Sequence, residues 1–580
     1  MKQEELFEQR LKEHYDELKW LYCELYGSMD MFYRLCRTMK DFFVRRKDSL
    51  KQLDEERLEN PGWYKGNSLL GMMMYTDAFA GSLKGVQKKL DYIQECNVNC
   101  LHLMPLLQMP ETDNDGGYAV SDYTRVDSRL GTMADLSRLT DACRKKGICV
   151  CLDFVMNHTS MEHEWARRAR AGEKEYQDRY FFFDDFDIPA RYEKTCPQVF
   201  PTTAPGNFTW LEDIGKYVMT TFYPYQWDLN YRNPAVFNDM TGYLLNLANH
   251  GIDILRIDAV PYIWKELGTS CRNLPQVHTI VRMLRMICEI VCPGVLLLGE
   301  VVMAPDKVVP YFGTLEKPEC HMLYNVTTMA TLWHTAAVKD AALLKRQTEI
   351  VAALPKDYVF LNYIRCHDDI GWGLEYGWLK ERHMEENPHK KFLNDYFTGK
   401  YPGSLSRGEL YNDDPSSGDA RLCGTAASLC GIEAACESKN PEDLQKALSL
   451  DLLLHGYMMS LSGIPMIYSG DEVARLNDYT YHEDPKKADD SRYIHRGPFL
   501  WEEATLRHTP GTIQQRIFEG LEKMETLRKE LEVFSQESSL SLKETWDSSV
   551  LCLCRQGGGQ GLVSPFNFSD QPKTAWIKEE

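Results

Sequence analysis

The stretch "GIDILRIDAV", residues 251–260, reads as a strand with charges where a strand should not hold them. Ile254, Leu255 and Ile257 ask for burial, yet Arg256 and Asp258 stand two residues apart and so share one face. A buried charge costs several kcal/mol unless it is paired, so these two residues are either an ion pair or part of a working site.

Seven further stretches share the apolar character of this one. They are "LLGMMMYT" from 69, "VNCLHLM" from 98, "GICVCLDF" from 147, "GVLLLGE" from 294, "HMLYN" from 321, "YVFLNYI" from 358 and "IPMIYSGDE" from 464. Helical patterns lie between them, for example at 132–146, 235–249, 276–291 and 444–461. Eight strand and helix units in one run predict an α/β chain folded as a (β/α)8 TIM barrel.

Around the barrel the chain divides further. Residues 1–62 carry apolar positions such as Phe7, Leu11, Leu18, Leu21 and Leu25 at helical spacing and predict a helical N-terminal domain. The barrel is expected over 63–532, interrupted by intervals too long for simple loops at about 157–230 and 371–426, which mark inserted subdomains. Residues 533–580 alternate between apolar and polar around glycine-rich turns and predict a short C-terminal β domain.

Composition bounds the function. With 66 basic against 85 acidic residues the net charge is −19, which repels nucleic acid and suits a neutral small substrate. The first residues carry no apolar segment behind their charges, and no run of eighteen apolar residues occurs, so a cytoplasmic protein with no membrane span is expected. Eighteen cysteines scattered without a Cys-x-x-Cys pair read as reduced thiols packed in cores.

Catalytic groups of such barrels sit at the C-terminal strand ends. Here those ends are polar: Asp153, Asn157 and His158 after the third strand, Arg256 and Asp258 on the fourth, Glu300 after the fifth, and His367, Asp368 and Asp369 after the seventh. Any one of them alone reads as a capping residue or an ion pair. Together they aim carboxylates and imidazoles at one mouth, which suits glycosidic bond chemistry: one carboxylate attacks, a second stays protonated, a third grips hydroxyls. A divalent metal is the competing use, but it asks for more ligands at short spacing than occur here. Neither metal nor cofactor is expected.

"DFVMNHTS", "GIDILRIDAV", "LLGEVV" and "IRCHDDIGW", in this order, resemble the four signature regions of the α-amylase superfamily of glycoside hydrolases, family thirteen. "DNDGGYAVSDYTRVDSRLGT", "NHTSMEHEWARRARAGE", "YQWDLNYRNPAVF", "WKELGTSCRNLPQVH" and "DDSRYIHR" narrow the resemblance to amylosucrases, over roughly residues 63–530.

That resemblance implies Asp258 as nucleophile, Glu300 as general acid and Asp368 as the carboxylate that holds the hydroxyls at carbons 2 and 3. It implies that His158 and His367 contact the same ring and that Arg256 orients Asp258 and keeps it ionised. Asp115 and Arg492 match a salt bridge that closes the site into a pocket, and Tyr118 matches the aromatic platform under the sugar. Asp369, Arg421 and Tyr225 match the acceptor side, with Tyr225 standing where amylosucrases usually carry Phe. The implied substrates are sucrose as donor and an α-glucan or maltooligosaccharide as acceptor. A sucrose hydrolase or an α-glucosidase would use the same carboxylates, and a non-catalytic sugar-binding barrel is the reading from another class.

Overall fold

The computed structural model describes residues 3–303, 305–414 and 419–577. Its centre is a closed barrel of eight parallel strands: β1 (Gly71–Met74), β2 (Cys100–Leu103), β3 (Cys149–Val155), β4 (Ile254–Asp258), β5 (Leu296–Gly299), β6 (Met322–Tyr324), β7 (Val359–Asn362) and β8 (Ile464–Tyr468). Each strand pairs with its sequence neighbours and β8 closes on β1, as the eight apolar runs predict. The strands are buried almost throughout, because helices cover the outside and packed side chains fill the inside.

The predicted helices stand at Met133–Lys145, Pro234–Asn249, Pro275–Val291 and Pro441–Ser460. Their starts are written locally. Thr132 and Asp135 form a reciprocal capping box, and Asn233 and Asn440 cap helices whose first residue is proline.

Three helices precede the barrel: α1 (Gln3–Tyr26), α2 (Met29–Arg45) and α3 (Asp48–Glu59). They bury Phe7, Leu18, Phe32, Leu35, Met39 and Phe43 in the common core. Buried Arg46 joins this piece to the barrel, pairing with Asp54 at 2.7 Å and donating to the Ala248 carbonyl at 2.9 Å.

Both long intervals hold structure of their own. In the first, His158–Ser160 pairs with Gln226–Asp228, and Phe182–Phe183, Lys216–Met219 and Phe208–Leu211 form a small antiparallel sheet. In the second, the helices Tyr376–Lys380 and Glu386–Phe397 precede a hairpin of Glu409–Asp414 with Asp419–Cys423. After the barrel, Ser539–Lys543, Val550–Gly557 and Gln560–Asn567 form a three-stranded antiparallel sheet. No helix among the described residues is long and apolar enough to cross a membrane.

Candidate active site

Strand register decides which charges meet. Arg256 on β4 lies directly beside Asp153 on β3, so their side chains emerge on the same side of the wall and pair at 2.7 Å. The same guanidinium reaches Asp258 on its own strand and Glu300 after β5, the latter at 2.6 Å. One arginine thus joins three carboxyl groups at the mouth, where a fork of fixed donors can serve several oxygens at once. The pair of charges on β4 is therefore both an ion pair and part of a larger cluster.

Asp258 and Glu300 differ in their second contacts. Glu300 accepts the backbone N–H of Ala259 at 2.9 Å, and Ala259 adopts a left-handed backbone with φ 47°, costly for a residue with a Cβ. The turn just past Asp258 is thus strained in the conformation that ties it to Glu300. Burial lifts both carboxyls above their ordinary range, and Glu300 beside Asp258 adds repulsion. Arg256 contacts Asp258 and acts to keep it ionised, but burial and the neighbouring carboxyl outweigh that contact. The pair favours holding one proton between its members.

Asp368 behaves in the opposite way. Burial acts to raise it, yet it lies 3.2 Å from His367, 3.2 Å from Arg496 and 3.7 Å from Arg492, and it ends below the usual carboxylate range. The charge interactions with His367, Arg496, Arg492 and Arg256 together outweigh that burial, while burial lowers the His367 imidazole itself to about 3.

Arg492 and Asp115, the two residues matched to a pocket-closing bridge, are in contact across the mouth. Arg492 meets Asp115 at 2.9 Å, with Asp490 at 2.8 Å and the Tyr223 hydroxyl at 3.2 Å. Gln226 donates to the other Asp115 oxygen at 3.2 Å. Tyr118 lies parallel to His367, ring centres 5.3 Å apart, and its hydroxyl reaches His367 at 2.7 Å and Asp153 at 3.1 Å.

His158 is held on both ring nitrogens. His158 meets the Tyr118 carbonyl at 3.0 Å through Nε2 and the Asn157 amide at 3.2 Å through Nδ1, so both ring nitrogens are already partnered. A hydroxyl reaches either one only by displacing a protein group. Among the residues matched to the acceptor side by the resemblance, Arg421 approaches Asp369 at 3.5 Å and donates to the Val199 carbonyl at 3.2 Å. Tyr225 stacks on Tyr223 at 5.2 Å, within 3° of parallel. Asn412 accepts the Thr202 hydroxyl at 2.7 Å.

Arg496 escaped the sequence reading. Its Nε donates to the His367 carbonyl at 2.7 Å, and it lies four residues beyond Arg492 on the same loop, a spacing that could have flagged it. Lys265 escaped it too. Its buried side-chain nitrogen meets three oxygens, of Asn157 at 2.7 Å, of the Tyr262 carbonyl and of Asp228 at 3.5 Å. Cys366, His367 and Asp368 bring donor atoms within 4.8 Å of one another, but Arg496 and Arg492 beside Asp368 oppose a cation there.

Comparison with known proteins agrees with this geometry at the level of the family. The chain is 31% identical to the trehalose synthase of Pimelobacter sp. (strain R48) over 72% of its length, spanning 67% of that protein. It is 26% identical to the glucosylglycerate phosphorylase of Escherichia coli (strain K12) over 91% of its length, spanning 89% of that protein. The crystal structure of sucrose 6F-phosphate phosphorylase from Thermoanaerobacter thermosaccharolyticum superposes with TM-score 0.68 at 19% identity, covering 86% of this chain and 94% of that one, which shows a common fold. Residues 46–370, more than half of the chain, match the α-amylase catalytic domain, and the chain belongs to the α-amylase family.

Proposed function

We propose that the chain is a retaining, amylosucrase-type glucosyltransferase that takes sucrose as donor, releases fructose and passes the glucosyl unit to an α-glucan or maltooligosaccharide. The observation that carries this reading is the Arg492–Asp115 bridge at 2.9 Å, which walls off the far side of the sugar site. A site so closed admits one glucosyl unit, whereas an open cleft accepts a chain on both sides.

Asp258 attacks the anomeric carbon as the glycosidic bond breaks, and Glu300 gives its proton to the departing fructosyl oxygen. An acceptor hydroxyl then loses its proton to Glu300 and displaces Asp258, so two inversions retain configuration. The pair needs one proton in total, and the first step uses it on Glu300. Arg256 holds both carboxyls on one guanidinium, in keeping with the short separation of retaining pairs, about 5 to 5.5 Å. Charged Asp368 stabilises the developing oxocarbenium character. Asp369, Arg421 and Tyr225 receive the fructosyl unit and the acceptor.

A second reading, isomerisation of a disaccharide by transfer back to the released sugar, draws support from the 31% identity to a trehalose synthase. Incubation with sucrose alone, in parallel with trehalose, maltose, and sucrose plus inorganic phosphate, separates the readings. Fructose in excess of glucose with a lengthening glucan supports transfer. Equal amounts mean hydrolysis, a new disaccharide means isomerisation, and no cleavage of sucrose defeats the proposal.

A further inference from the structure

Two thiols from separate parts of the fold meet in the small core of the first insert. Cys196, just beyond the helix Asp187–Glu193, and Cys271, on the loop leaving β4, stand Sγ to Sγ at 3.2 Å. Cys196 is 6% exposed and Cys271 4%, and they pack with Tyr192 and Met219 in a cluster apart from the main core. The chemistry proposed above uses neither.

Their setting differs from that of the other close cysteines. Cys100 and Cys149 oppose each other on neighbouring barrel strands, Cys292 caps the helix that carries Cys288 one turn earlier, and Cys552 and Cys554 share one strand. Cys196 and Cys271 instead join two units 75 residues apart in sequence. Cys271 takes a left-handed backbone, φ 53°, with its N–H held by the Thr269 hydroxyl at 3.1 Å. The hydrogen bond from Cys196 lowers the Cys271 thiol to about 6, while the same contact raises Cys196; Lys265 also lowers Cys271.

We propose that Cys196 and Cys271 are a redox modification site, a dithiol that peroxide converts to a reversible disulfide fastening the first insert to the β4 loop. The Cys271 thiolate attacks peroxide, giving a sulfenic acid and hydroxide. The Cys196 thiol then attacks that sulfur, forming the S–S bond and releasing water. With the hydroxide taking up the proton that Cys271 released on ionising, the two thiols give two electrons to one peroxide, which leaves as two waters.

The bond would act close to the acceptor side. Arg272 donates to the Pro197 carbonyl at 2.7 Å, Val199 accepts from Arg421 at 3.2 Å, and the Phe200 ring lies 5.2 Å from that of Tyr223. Residues 196–200 therefore run from the thiol pair to the wall of the pocket, and a bond at Cys196 restrains that wall.

The test treats the reduced full-length protein with hydrogen peroxide, alkylates the remaining thiols and maps peptides by mass. The expected result is a peptide linked through Cys196 and Cys271, two thiols lost, slower proteolytic nicking of the first insert and a thermal midpoint raised by several degrees, all reversed by dithiothreitol. Cys196→Ser should remove the linked peptide and the midpoint shift together. Oxidation of other cysteines with no such peptide overturns the proposal, as does a linked peptide that leaves nicking and midpoint unchanged. None of these readouts depends on which sugar the enzyme uses.

Discussion

Arg492 and Asp115 meet at 2.9 Å although 377 residues separate them in sequence. One lies on the loop after β8, the other on the loop after β2, and the barrel brings both loops to the same mouth. In the function proposed above, their contact is the feature on which donor choice turns. Arg492→Ala should open the pocket while leaving Asp258 and Glu300 in place. Its kcat/KM on sucrose is expected to fall about 100-fold, the scale of loss when positioning fails, with a much smaller loss on an aryl glucoside carrying a good leaving group. Steady-state kinetics on both substrates decide it, and equal losses count against pocket closure.

Asp258→Asn and Glu300→Gln should separate by leaving group. Asp258→Asn is expected to stop turnover of every substrate, because no ester can form. Glu300→Gln should lose on the order of 10³-fold or more on sucrose yet keep ester formation from an aryl glucoside whose phenolate needs no proton. Burial raises Glu300 above its ordinary value, and the acid must be protonated to work, so the alkaline limb of the sucrose profile should lie above the usual glutamate range. Rapid release of phenolate by Glu300→Gln, measured against none by Asp258→Asn, checks the assignment. The same slow rate in both would reverse it.

How much of this was legible follows from what each residue touches. The eight barrel strands were readable because a strand buried on both faces must be apolar along its length, as Ile254, Leu255 and Ile257 are. Asp258, Glu300 and Asp368 were readable because they end such runs. Arg496 and Lys265 were not, since their value lies in partners far along the chain: the His367 carbonyl for Arg496, Asn157 and Asp228 for Lys265. A surface arginine and a clamped one look the same in sequence. The ties on His158 were hidden for the same reason, because its Nε2 meets a backbone carbonyl, which no residue type announces.

Away from the site, buried carboxyls should make stability fall with rising pH. Glu525 is 5% exposed, accepts a long bond from Asn97 at 3.4 Å, and burial raises it to about 8. Its folded form holds a proton that the unfolded chain gives up near pH 4.5. The folded state is thus unpenalised below that value and loses stability as pH climbs from about 4.5 to about 8, by a few kcal/mol at most. Glu525→Gln should therefore raise the thermal midpoint at pH 8 and change it little at pH 5. A shift of the same size at both values would place the effect in packing instead of ionisation.

Arg555 should decide whether the C-terminal sheet stays docked. Its side chain is fully buried and donates to the Val533 carbonyl at 2.7 Å, the Ser535 carbonyl at 2.7 Å, the Ser460 carbonyl at 3.1 Å and the Ser462 hydroxyl at 3.1 Å. Those acceptors lie on the helix and turn before β8 and on the segment after the barrel, so one guanidinium ties three pieces of chain together. Arg528 beside it donates to the Met459 carbonyl at 2.7 Å and the Gly463 carbonyl at 2.7 Å, and the two like charges lie close. Arg555→Leu removes that repulsion but strands the Val533 and Ser460 carbonyls, each worth about 1 to 3 kcal/mol when buried unpaired, while the Ser535 carbonyl keeps the Ser538 N–H at 3.1 Å. The loss outweighs the relief, so the thermal midpoint should drop by several degrees and protease should reach residues 533–577 first. Arg555→Lys, which can satisfy part of the set from a single nitrogen, should fall between the two. An unchanged midpoint in Arg555→Leu would mean that apolar packing of Leu551, Leu553 and Phe566 holds the sheet unaided.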